Sequence, residues 1–521
     1  MSHRRPAIPG GPAGVADVLE RGLAHHATRE ALVGRHGRYT WEALDAEANR
    51  AAAALSELGV VAGDRVAVAL PNDVDIVISM LACMRLGAIW LGVNLSLAAP
   101  EKAYLVRDSG SRAALATPAA ADELHDQRES LPELDRVVVV APGEPVDEWR
   151  SLVAGSDAGR PRGQVDAHAA AALAYTSGTT GHPKGAIHSQ HNLVLPGAVA
   201  RVRGQYGDDA RVGVVLPLTL VNLIALGPVL AWQIGATCIA VDRVDAEGLA
   251  GWIRDEGITA ISTVPAIMHA LLTGPAVSPD DLATLRTPGV GGADCPETFR
   301  RLYRERFGRE VTVGYGLTEA PTAVTMSDPD SPPVAGSAGR ALPHVRLVIV
   351  DEHDRAVAPG ETGEICVTAA TTGPFAGVYT PMLGYWGRPE ATAEALRGGM
   401  LHTGDLGALD EHGNLFVRDR RHDLIIRGGA NVYPAEVERV LHDDARVAAC
   451  AVVGRPDERL GERVVAFVEP VDGVTIDADE LLAHCRANLA RYKVPEELRF
   501  VDSFPRTPMG KIKKPDLRAL L

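Results

Sequence analysis

Apolar positions in the first 140 residues of the chain recur with two alternating periods. Residues 41–58 and 76–86 have the spacing of helices, whereas residues 65–70 and 136–140 are short apolar runs typical of buried strands. The run at 65–70 ends at Pro71-Asn72, a pair that favours a turn. Because helices and strands alternate, this part of the chain predicts a largely parallel α/β sheet.

The α/β alternation continues through the middle of the chain and then changes character. An apolar run at 169–174 leads into a glycine-rich segment, and runs at 258–264 and 311–313 predict further strands. Strand-like segments without helices between them then follow at residues 346–350, 363–367 and 414–417. This order predicts the antiparallel strands of a small barrel-like subdomain.

A break near residues 419–423 separates a compact C-terminal segment from the rest of the chain. The segment has strands predicted at 424–426, 447–453 and 463–468, and helices predicted at 435–442 and 478–489. At 521 residues the chain is too long for one ordinary domain. We therefore predict a large N-terminal domain over residues 1–420, with α/β sheets and the barrel-like subdomain, and a small α+β domain over residues 421–521.

Charge and composition exclude several classes of protein. A net charge of −15 argues against a nucleic-acid binder, which normally presents a basic face. The most apolar stretches are interrupted before they reach about 20 residues, so no membrane span is predicted. The six cysteines are widely spaced, without a Cys-x-x-Cys pair, and no apolar leader is visible. This usage is typical of a cytoplasmic protein in a reducing compartment.

The segment Tyr175-Thr-Ser-Gly-Thr-Thr-Gly-His-Pro-Lys-Gly185 carries the clearest chemical signal. Its glycines allow backbone N–H groups to close around phosphate oxygens, and its serine and threonine hydroxyls can donate further hydrogen bonds. Lys184 adds a compact positive charge. The spacing differs from that of the common P-loop. Taken alone, the segment is either a solvated turn or a loop that binds a triphosphate.

Lysine is rare in this chain, because six of the 52 basic residues are lysines and the others are arginines. The lysines are at positions 102, 184, 493, 511, 513 and 514. An ammonium group is a point charge that fits between two oxyanions, whereas a guanidinium is a planar fork. Lys184 and Lys511 are therefore candidates for binding or catalysis.

Eight motifs, in order along the chain, resemble those of the adenylate-forming superfamily, which includes acyl-CoA synthetases, carrier-protein adenylation domains and firefly luciferase. They are Gly63-Asp-Arg-Val-Ala-Val-Ala-Leu-Pro-Asn72, the 175–185 segment, Gly314-Tyr-Gly-Leu-Thr-Glu319, Gly360-Glu-Thr-Gly-Glu364, His402-Thr-Gly-Asp-Leu-Gly407, Asp419-Arg-Arg-His-Asp423, Gly428-Gly-Ala-Asn-Val-Tyr-Pro434 and Pro505-Arg-Thr-Pro-Met-Gly-Lys511. The resemblance is closest to the acid–CoA ligase branch. It implies that a carboxylate reacts with ATP to give acyl-AMP and pyrophosphate, and that the acyl group then passes to the thiol of CoA.

The resemblance also implies roles for residues of the N-terminal domain. Glu319 is the expected magnesium ligand and, with Thr180, part of the expected catalytic set. Asp405 is expected to bind the ribose hydroxyls with help from Arg420, and Tyr315 to stack on adenine. Outside the motifs, Glu319 would be an ordinary surface acid and Tyr315 a core side chain. The expected ATP-binding residues are Thr176, Ser177, Gly178, Thr179, Thr180, Gly181, Lys184, Gly292, Ala293, Tyr315, Gly316, Thr318, Asp405 and Arg420.

In the C-terminal domain the resemblance points to a catalytic lysine, a hinge and a glycine pair. Lys511 is expected to lie between the carboxylate and the α-phosphate and to stabilise the charge that builds up there. The domain is expected to be mobile and to rotate about His422 between the two half-reactions, which withdraws Lys511 and brings Gly428 and Gly429 to the CoA site. The alternatives are a flexible basic tail and an ordinary turn.

The acyl pocket is expected at Leu220, Asn222, Leu226, Gly291 and Gly316. The segment has no acid that could pair with the ammonium of an amino acid, which would be costly to leave unpaired in apolar surroundings. Many relatives have a histidine where this chain has Leu220, and acetate enzymes have a tryptophan where it has Gly316. An apolar slot with one amide side chain favours an aromatic or medium-length monocarboxylate.

Three functional hypotheses follow. The first is an acid–CoA ligase that uses ATP, Mg²⁺ and CoA. The second is a stand-alone adenylating enzyme that loads a carrier protein or uses another acceptor, because CoA and carrier arms end in the same thiol. The third is a binding protein that has kept only the fold. Charged residues are costly to bury without a use, so the intact set Lys184, Glu319, Asp405, Arg420 and Lys511 argues against the third.

Overall fold

A computed structural model gives the structure of most of the chain. It describes residues 6–144, 146–161, 163, 165–177, 182–207, 209–290, 297–328, 331–332, 334, 336–420, 425–432, 434–471, 473–505, 512 and 514–521.

Helices and strands alternate through the N-terminal part. The elements up to residue 189 are α1 (Glu20–His26), β1 (Glu30–Gly34), β2 (Gly37–Thr40), α2 (Trp41–Glu57), β3 (Arg65–Ala69), α3 (Val74–Leu86), β4 (Ile89–Gly92), α4 (Ala99–Ser109), β5 (Ala113–Ala116), α5 (Pro118–Asp126), β6 (Arg136–Val139), α6 (Glu148–Gly155), β7 (Ala170–Ser177) and β8 (Pro183–Ser189). Those up to residue 307 are α7 (Gln190–Arg203), β9 (Arg211–Val214), α8 (Val221–Ile224), α9 (Leu230–Gln233), β10 (Thr237–Ala240), α10 (Ala246–Glu256), β11 (Ala260–Thr263), α11 (Pro265–Thr273), β12 (Thr287–Val290) and α12 (Glu297–Phe307).

Strands predominate in the next part. It contains β13 (Gly314–Leu317), β14 (Ala320–Met326), β15 (Arg340–Ala341), β16 (Val345–Val350), β17 (Gly363–Ala369), β18 (Gly384–Tyr385), α13 (Pro389–Ala395), β19 (Leu401–Leu409) and β20 (Leu415–Arg420). The C-terminal part contains β21 (Ile425–Arg427), β22 (Ala430–Val432), α14 (Pro434–His442), β23 (Val447–Asp457), β24 (Gly461–Pro470), α15 (Ala478–Asn488), β25 (Glu497–Phe500) and α16 (Lys514–Arg518).

Two sheets with parallel strands form the body of the N-terminal domain. One has the order β18-β8-β7-β4-β3-β5-β6, in which β8 and β18 are antiparallel to their neighbours and the rest are parallel. The other has the order β12-β11-β9-β10-β1-β2, with β2 antiparallel at its edge. A continuous apolar core includes side chains of both sheets and the buried indoles of Trp41, Trp90, Trp149 and Trp232.

Local sequence sets where the helices beside the first sheet begin and end. The Asp73 side chain accepts a hydrogen bond from the backbone N–H of Val74 at the start of α3, and Gly87 ends this helix with a φ of 72°. At the start of α4, the Glu101 carboxylate accepts a hydrogen bond from the backbone N–H of Ala98 at 2.8 Å. The first turn of α4, which contacts the C-terminal domain, is therefore held by its own sequence.

Antiparallel strands form the predicted barrel-like subdomain. The strand orders are β13-β14-β15 and β16-β17-β19-β20, and a bridge between Arg340 and Asn414 joins the two sheets. The C-terminal domain has the order β22-β21-β24-β23, with β25 parallel to β24. Apolar clusters cover both faces of this last sheet. The predicted fold class, a large α/β domain followed by a small α+β domain, is confirmed.

The structure corrects one predicted strand. Residues 311–313 are not a strand, and the strand of this region is β13, which pairs antiparallel with β14 rather than extending the parallel sheet. The apolar character of Val311 instead reflects its burial in a core cluster. The domain boundary predicted between residues 420 and 421 adjoins residues 421–424, which lie outside the described residues, and it stays a prediction. Among the described residues, no helix combines the length and apolar character needed to cross a membrane.

Candidate active site

The β7–β8 hairpin carries both ends of the glycine-rich segment. β7 is parallel to β4, and Thr176 lies opposite Lys184 across the hairpin, one residue before Ser177 at the end of β7. The predicted residues Gly178, Thr179, Thr180 and Gly181 lie outside the described residues. The ends of the segment are at the carboxyl edge of parallel strands, which is where α/β sheets bind ligands.

Glu319 lies beside this hairpin and contacts one side chain of β7 and one of β18. Its carboxylate accepts a hydrogen bond from the Tyr385 hydroxyl at 2.8 Å, and the Thr176 hydroxyl is 3.4 Å away. The Lys184 ammonium lies 5.4 Å from the centre of the Tyr385 ring. One carboxylate, two hydroxyls and one ammonium are therefore close together. Hard oxygen donors of this kind fit Mg²⁺, which keeps several of its own waters and needs few protein ligands.

Helix α4 holds the hairpin from behind. The Tyr175 hydroxyl donates to the Asp108 carboxylate at 2.8 Å, and Arg388 donates to the same carboxylate at 2.7 Å. Burial and the nearby Asp108 carboxylate raise the pKa of Tyr175 well above its usual range, so its hydroxyl keeps the proton. The Tyr104 hydroxyl donates to the backbone carbonyl of Pro183 at 3.1 Å. Both strands of the hairpin are thus tied to one helix.

Tyr315, four residues before Glu319, meets Asp405, which comes from a different sheet. Tyr315 is buried in β13, and its hydroxyl donates to the Asp405 carboxylate at 2.6 Å. Asp405 is the cross-strand neighbour of Arg420, whose side chain lies outside the described part. Gly316 is exposed and Thr318 is half-buried in the same segment as Tyr315. The structure therefore brings Tyr315 and Asp405, two of the residues predicted to bind the nucleoside, into contact, while the buried ring of Tyr315 also fits a core role.

A buried carboxylate fixes the turn that carries Asp405. Glu364 accepts a hydrogen bond from the backbone N–H of Gly404 at 3.0 Å, and its second oxygen is 3.1 Å from Nδ1 of His402. Burial opposes ionisation of Glu364, but these hydrogen bonds outweigh it and lower its pKa. Gly404 has a φ of 74°, a conformation that favours glycine. The position of the Asp405 carboxylate therefore depends on this turn.

Cys366 joins the same cluster, and its ligand atoms lie close enough to those of Glu364 and His402 to hold a metal ion. Two observations argue for a structural role instead. Arg397 donates to the Glu364 carboxylate at 3.0 Å and would repel a cation there. Burial raises the pKa of the Cys366 thiol to about 12, so in the metal-free cluster the thiol keeps its proton at neutral pH.

The segment predicted to form the acyl pocket is organised by Asn72, which ends the first strand motif. Its amide donates to the carbonyl of Leu216 at 2.9 Å, and its carbonyl accepts from the N–H of Leu218 at 2.7 Å. These bonds fix the turn between β9 and α8. Asn72 therefore not only follows a strand but also fixes the conformation of the chain that leads into α8.

The predicted pocket residues differ in exposure. Leu220 is 48% exposed, Leu226 is half-buried, and Gly291 lies outside the described residues. The side-chain carbonyl of Asn222 is buried and has no hydrogen-bond partner among the described residues. A buried acceptor without a partner is costly, and a polar substituent of a ligand would satisfy it.

The glycine pair of the C-terminal domain forms a tight hairpin turn against the body. Gly428 and Gly429 connect β21 to β22 with φ values of 58° and 83°, as a two-residue hairpin of this type requires. A Cβ added to Gly429 would lie 2.5 Å from Cγ2 of Val264, at the end of β11. The turn therefore touches the N-terminal domain, and a larger residue would displace it.

Several predicted residues lie outside the described residues and their roles stay predictions. They are Thr180 and the rest of the glycine-rich turn, Gly291, Gly292, Ala293, His422 and Lys511. Sequence reasoning missed Tyr385, Asp108 and Glu364 as supports of the site. The cluster of glycine and aromatic residues from Gly384 to Gly387 was the available signal for Tyr385. No local signal marks Asp108, because its partners are far away in sequence.

Comparison with known proteins agrees with this geometry. Residues 19–386 match the AMP-binding enzyme family, and residues 436–511 match the AMP-binding enzyme C-terminal domain. The chain belongs to the AMP-binding enzyme family. The prediction of an adenylate-forming enzyme from the acid–CoA ligase branch is thereby confirmed.

Individual relatives cover nearly the whole chain. An indoleacetate–CoA ligase of Aromatoleum aromaticum is 37% identical over 91% of this chain and 91% of its own length. A feruloyl-CoA synthase of an Amycolatopsis species is 37% identical over 95% of this chain and 96% of its own. The solved structure of the amide bond synthetase McbA from Marinactinospora thermotolerans is 31% identical, with a TM-score of 0.85 over 98% of this chain and 99% of its own.

Proposed function

We propose that this protein is an AMP-forming acid–CoA ligase whose substrate is an aromatic monocarboxylate. The observations that support this most directly are two contacts of predicted site residues. Glu319 accepts from the hydroxyl of Tyr385, over whose ring Lys184 lies. Asp405 accepts from the hydroxyl of Tyr315, four residues before Glu319 in the chain. AMP-forming CoA ligases use ATP and CoA, typically with Mg²⁺. The donor set around Glu319 and Thr176 fits that ion, which when bound neutralises phosphate charge.

Each group has a defined task in the proposed first step. Asp405, held by Tyr315 and by its turn, accepts hydrogen bonds from the ribose hydroxyls and sets the position of the nucleotide. Lys184 and the glycine-rich segment bind the outer phosphates. Lys511 contacts the carboxylate and the α-phosphate as they react, so that charge at the transferring centre is stabilised.

The second step requires the C-terminal domain in another orientation. The Gly428–Gly429 turn lies against Val264 in this structure, and the hypothesis places the thiol acceptor along this contact. We propose that the domain from residue 421 onward rotates about His422 to exchange Lys511 for this turn.

The aromatic substrate class rests on the segment after β9. Leu220 and Leu226 supply apolar surface, and the Asn222 carbonyl has a free acceptor site among the described residues. An aromatic ring with one hydrogen-bond donor, such as a phenol or an indole N–H, satisfies both features. The names of the two relatives, an indoleacetate ligase and a feruloyl-CoA synthase, agree with this class.

An amine, in place of CoA, is an alternative acceptor of the acyl group. The likeness to an amide bond synthetase at a TM-score of 0.85 favours a protein whose acyl-AMP can also react with an amine. A carrier-protein thiol remains a third acceptor, because it ends in the same arm as CoA.

The test is acid-dependent release of pyrophosphate from ATP over a panel of aryl, alicyclic, fatty and amino acids. Each acid is assayed alone, with CoA and with an amine, and the products are identified by mass spectrometry. We expect aryl acids to release pyrophosphate and a thioester to form only when CoA is present. Acyl-AMP that accumulates with CoA but is consumed by the amine would replace the ligase hypothesis with the amide one.

Removing one hydroxyl should separate nucleotide binding from the rest of the reaction. In Tyr315→Phe the ring remains, but the 2.6 Å hydrogen bond to Asp405 is lost. Because hydrogen bonds to charged groups contribute about 1.5–3 kcal/mol, we expect the KM for ATP to rise about tenfold or more with little change in kcat. Tyr379→Phe is the matched control, since this buried hydroxyl has no partner among the described residues. An unchanged KM in Tyr315→Phe would contradict the placement of Asp405 at the ribose.

A further inference from the structure

A buried lysine joins the two domains. The ammonium of Lys493, in the segment between α15 and β25, donates to the Glu436 carboxylate of α14 at 2.7 Å and to the Glu101 carboxylate of α4 at 2.8 Å. Lys493 is 6% exposed, Glu101 is 8% and Glu436 is 4%. Glu101 belongs to the N-terminal domain and the other two to the C-terminal domain, so the cluster spans the junction.

Backbone hydrogen bonds reinforce the contact. The second oxygen of Glu101 accepts from the N–H of Ala490 at 2.8 Å, as well as from the N–H of Ala98 that begins α4. Both oxygens of one carboxylate of the body are therefore bonded to the C-terminal domain. Breaking such a contact leaves a buried charge without a partner, which is strongly unfavourable.

The choice of lysine at this position is unusual for the chain, which uses arginine for nearly all its positive charge. A compact ammonium can donate in two directions to two separate carboxylates, whereas a guanidinium prefers the paired oxygens of one. Burial alone would lower the pKa of Lys493, but the carboxylates of Glu436 and Glu101 outweigh it and raise the pKa. The ammonium therefore stays charged in the junction.

The same orientation places other parts of the C-terminal domain close to the N-terminal domain. Gly429 packs against Val264, as described above. The helix α4 that carries Glu101 also carries Tyr104, whose ring stacks at 5.2 Å on His182 within the glycine-rich segment. Burial and the nearby positive charge of Arg439, on α14, lower the pKa of His182. The bridge and the site thus share one helix of the body and one helix of the C-terminal domain.

We propose that Lys493 is a positioning residue for the second half-reaction, and that its bonds to Glu101 hold the C-terminal domain where the Gly428–Gly429 turn meets the body. This inference rests on the proposed two-step function. The inference goes beyond the proposed function because it assigns Lys493 a role in domain orientation and not in the chemistry of either step. When the domain rotates to bring Lys511 to the site, the Glu101 contact must break, and Lys493 keeps only its partner within its own domain, Glu436.

The two half-reactions are measured separately in Lys493→Met and Glu101→Gln. Acyl-AMP formation is followed by acid-dependent exchange of pyrophosphate into ATP, and thioester formation by single turnover of supplied acyl-AMP with CoA. We expect thioester formation to fall about tenfold or more in both variants and exchange to stay within about threefold, since only one orientation loses a contact. Glu101→Gln changes the body alone, so it separates the bridge from any role of Lys493 in folding its own domain.

Lys102, the residue next to Glu101, provides the matched control. Lys102, also on α4, is 4% exposed and pairs with Glu123 of α5 at 2.6 Å, entirely within the N-terminal domain. Lys102→Met removes a buried ammonium without touching the junction and should lower both half-reactions equally or neither. Equal loss of both half-reactions in Glu101→Gln, or an unchanged thioester rate in it, would overturn the proposal.

The distance between the two domains tests the role of Lys493 whichever molecule accepts the acyl group. Nitroxide labels are placed at the exposed positions His125 on α5 and Ala487 on α15, in protein in which Cys295 is replaced by serine. The other five cysteines are buried in the structure. The distance distribution should be narrow in the parent and shifted or broader in Lys493→Met, but unchanged in Lys102→Met. If the parent protein forms no thioester, the proposed CoA step fails, but the distance comparison still tests the Lys493–Glu101 contact. Identical distance distributions in the parent and in Lys493→Met would refute the role proposed for Lys493.

Discussion

Replacing Lys511 with methionine should reduce acyl-AMP formation by about a hundredfold to a thousandfold, because the ammonium expected between two negative reactants is lost. Thioester formation from supplied acyl-AMP should stay within about threefold of the unmodified protein, since that step uses the other orientation of the domain. The measurement is acid-dependent pyrophosphate exchange beside single-turnover thioester formation.

A neighbouring lysine controls for the change in charge. Lys514, three residues further on, donates to Glu438 at 2.7 Å within the C-terminal domain. Lys514→Met should leave acyl-AMP formation nearly unchanged. If Lys511→Met and Lys514→Met lost the same activity, or if Lys511→Met lost both half-reactions equally, the role predicted for Lys511 would be wrong.

The fold could be predicted largely from periodicity, because most elements are amphipathic or buried along their whole length. The predicted helices at 41–58 and 76–86 correspond to α2 and α3, and Thr40 and Asp73 cap their first turns. The predicted strand at 311–313 was wrong because an apolar run alone cannot tell a strand from buried irregular chain. Its neighbour β13 forms a strand through pairing with β14, a contact that local sequence does not encode.

Only the site residues that belong to the sequence motifs, and not their partners, could be predicted from the sequence. The resemblance named Glu319, Tyr315 and Asp405. In the structure Asp405 contacts the Tyr315 hydroxyl, and Glu319 contacts the Tyr385 hydroxyl. The resemblance could not supply the partners of these residues, because Tyr385 and Glu364 act through tertiary contacts rather than through spacing. The scarcity of lysine pointed to positions 184 and 511, and the same argument applies to Lys493, whose carboxylate partners became visible only in the folded chain.

The contact between the two domains places one ammonium, that of Lys493, between two carboxylates. The predicted catalytic lysine, Lys511, is in the same way expected to lie between two anions of the substrates. A buried ion pair that must break in each cycle cannot be too stable, or the domain would stop rotating. The extra negative charge in the junction, two carboxylates for one ammonium, fits this need. Burial and the neighbouring Glu101 carboxylate raise the pKa of Glu436, and the Lys493 ammonium opposes this effect.

Glu319→Gln should lower acyl-AMP formation by about a hundredfold and raise the concentration of Mg²⁺ needed for half-maximal rate. The amide keeps the size of the side chain, but it offers one neutral oxygen where the carboxylate offered charge to a hard cation. The assay is pyrophosphate exchange at saturating ATP and acid over a series of Mg²⁺ concentrations. Glu319→Gln should fold normally, because its carboxylate is only half-buried.

Tyr385→Phe distinguishes a metal ligand from a structural carboxylate. This variant removes the 2.8 Å hydrogen bond to Glu319 and leaves its charge in place. We expect a loss of only about threefold to tenfold, in line with one hydrogen bond to a charged group, and an unchanged response to Mg²⁺. If the two variants lost activity equally, with no change in Mg²⁺ dependence in either, Glu319 would serve to orient Tyr385 rather than to bind the ion. A large effect confined to Glu319→Gln and relieved by excess Mg²⁺ would instead place the cation at this carboxylate.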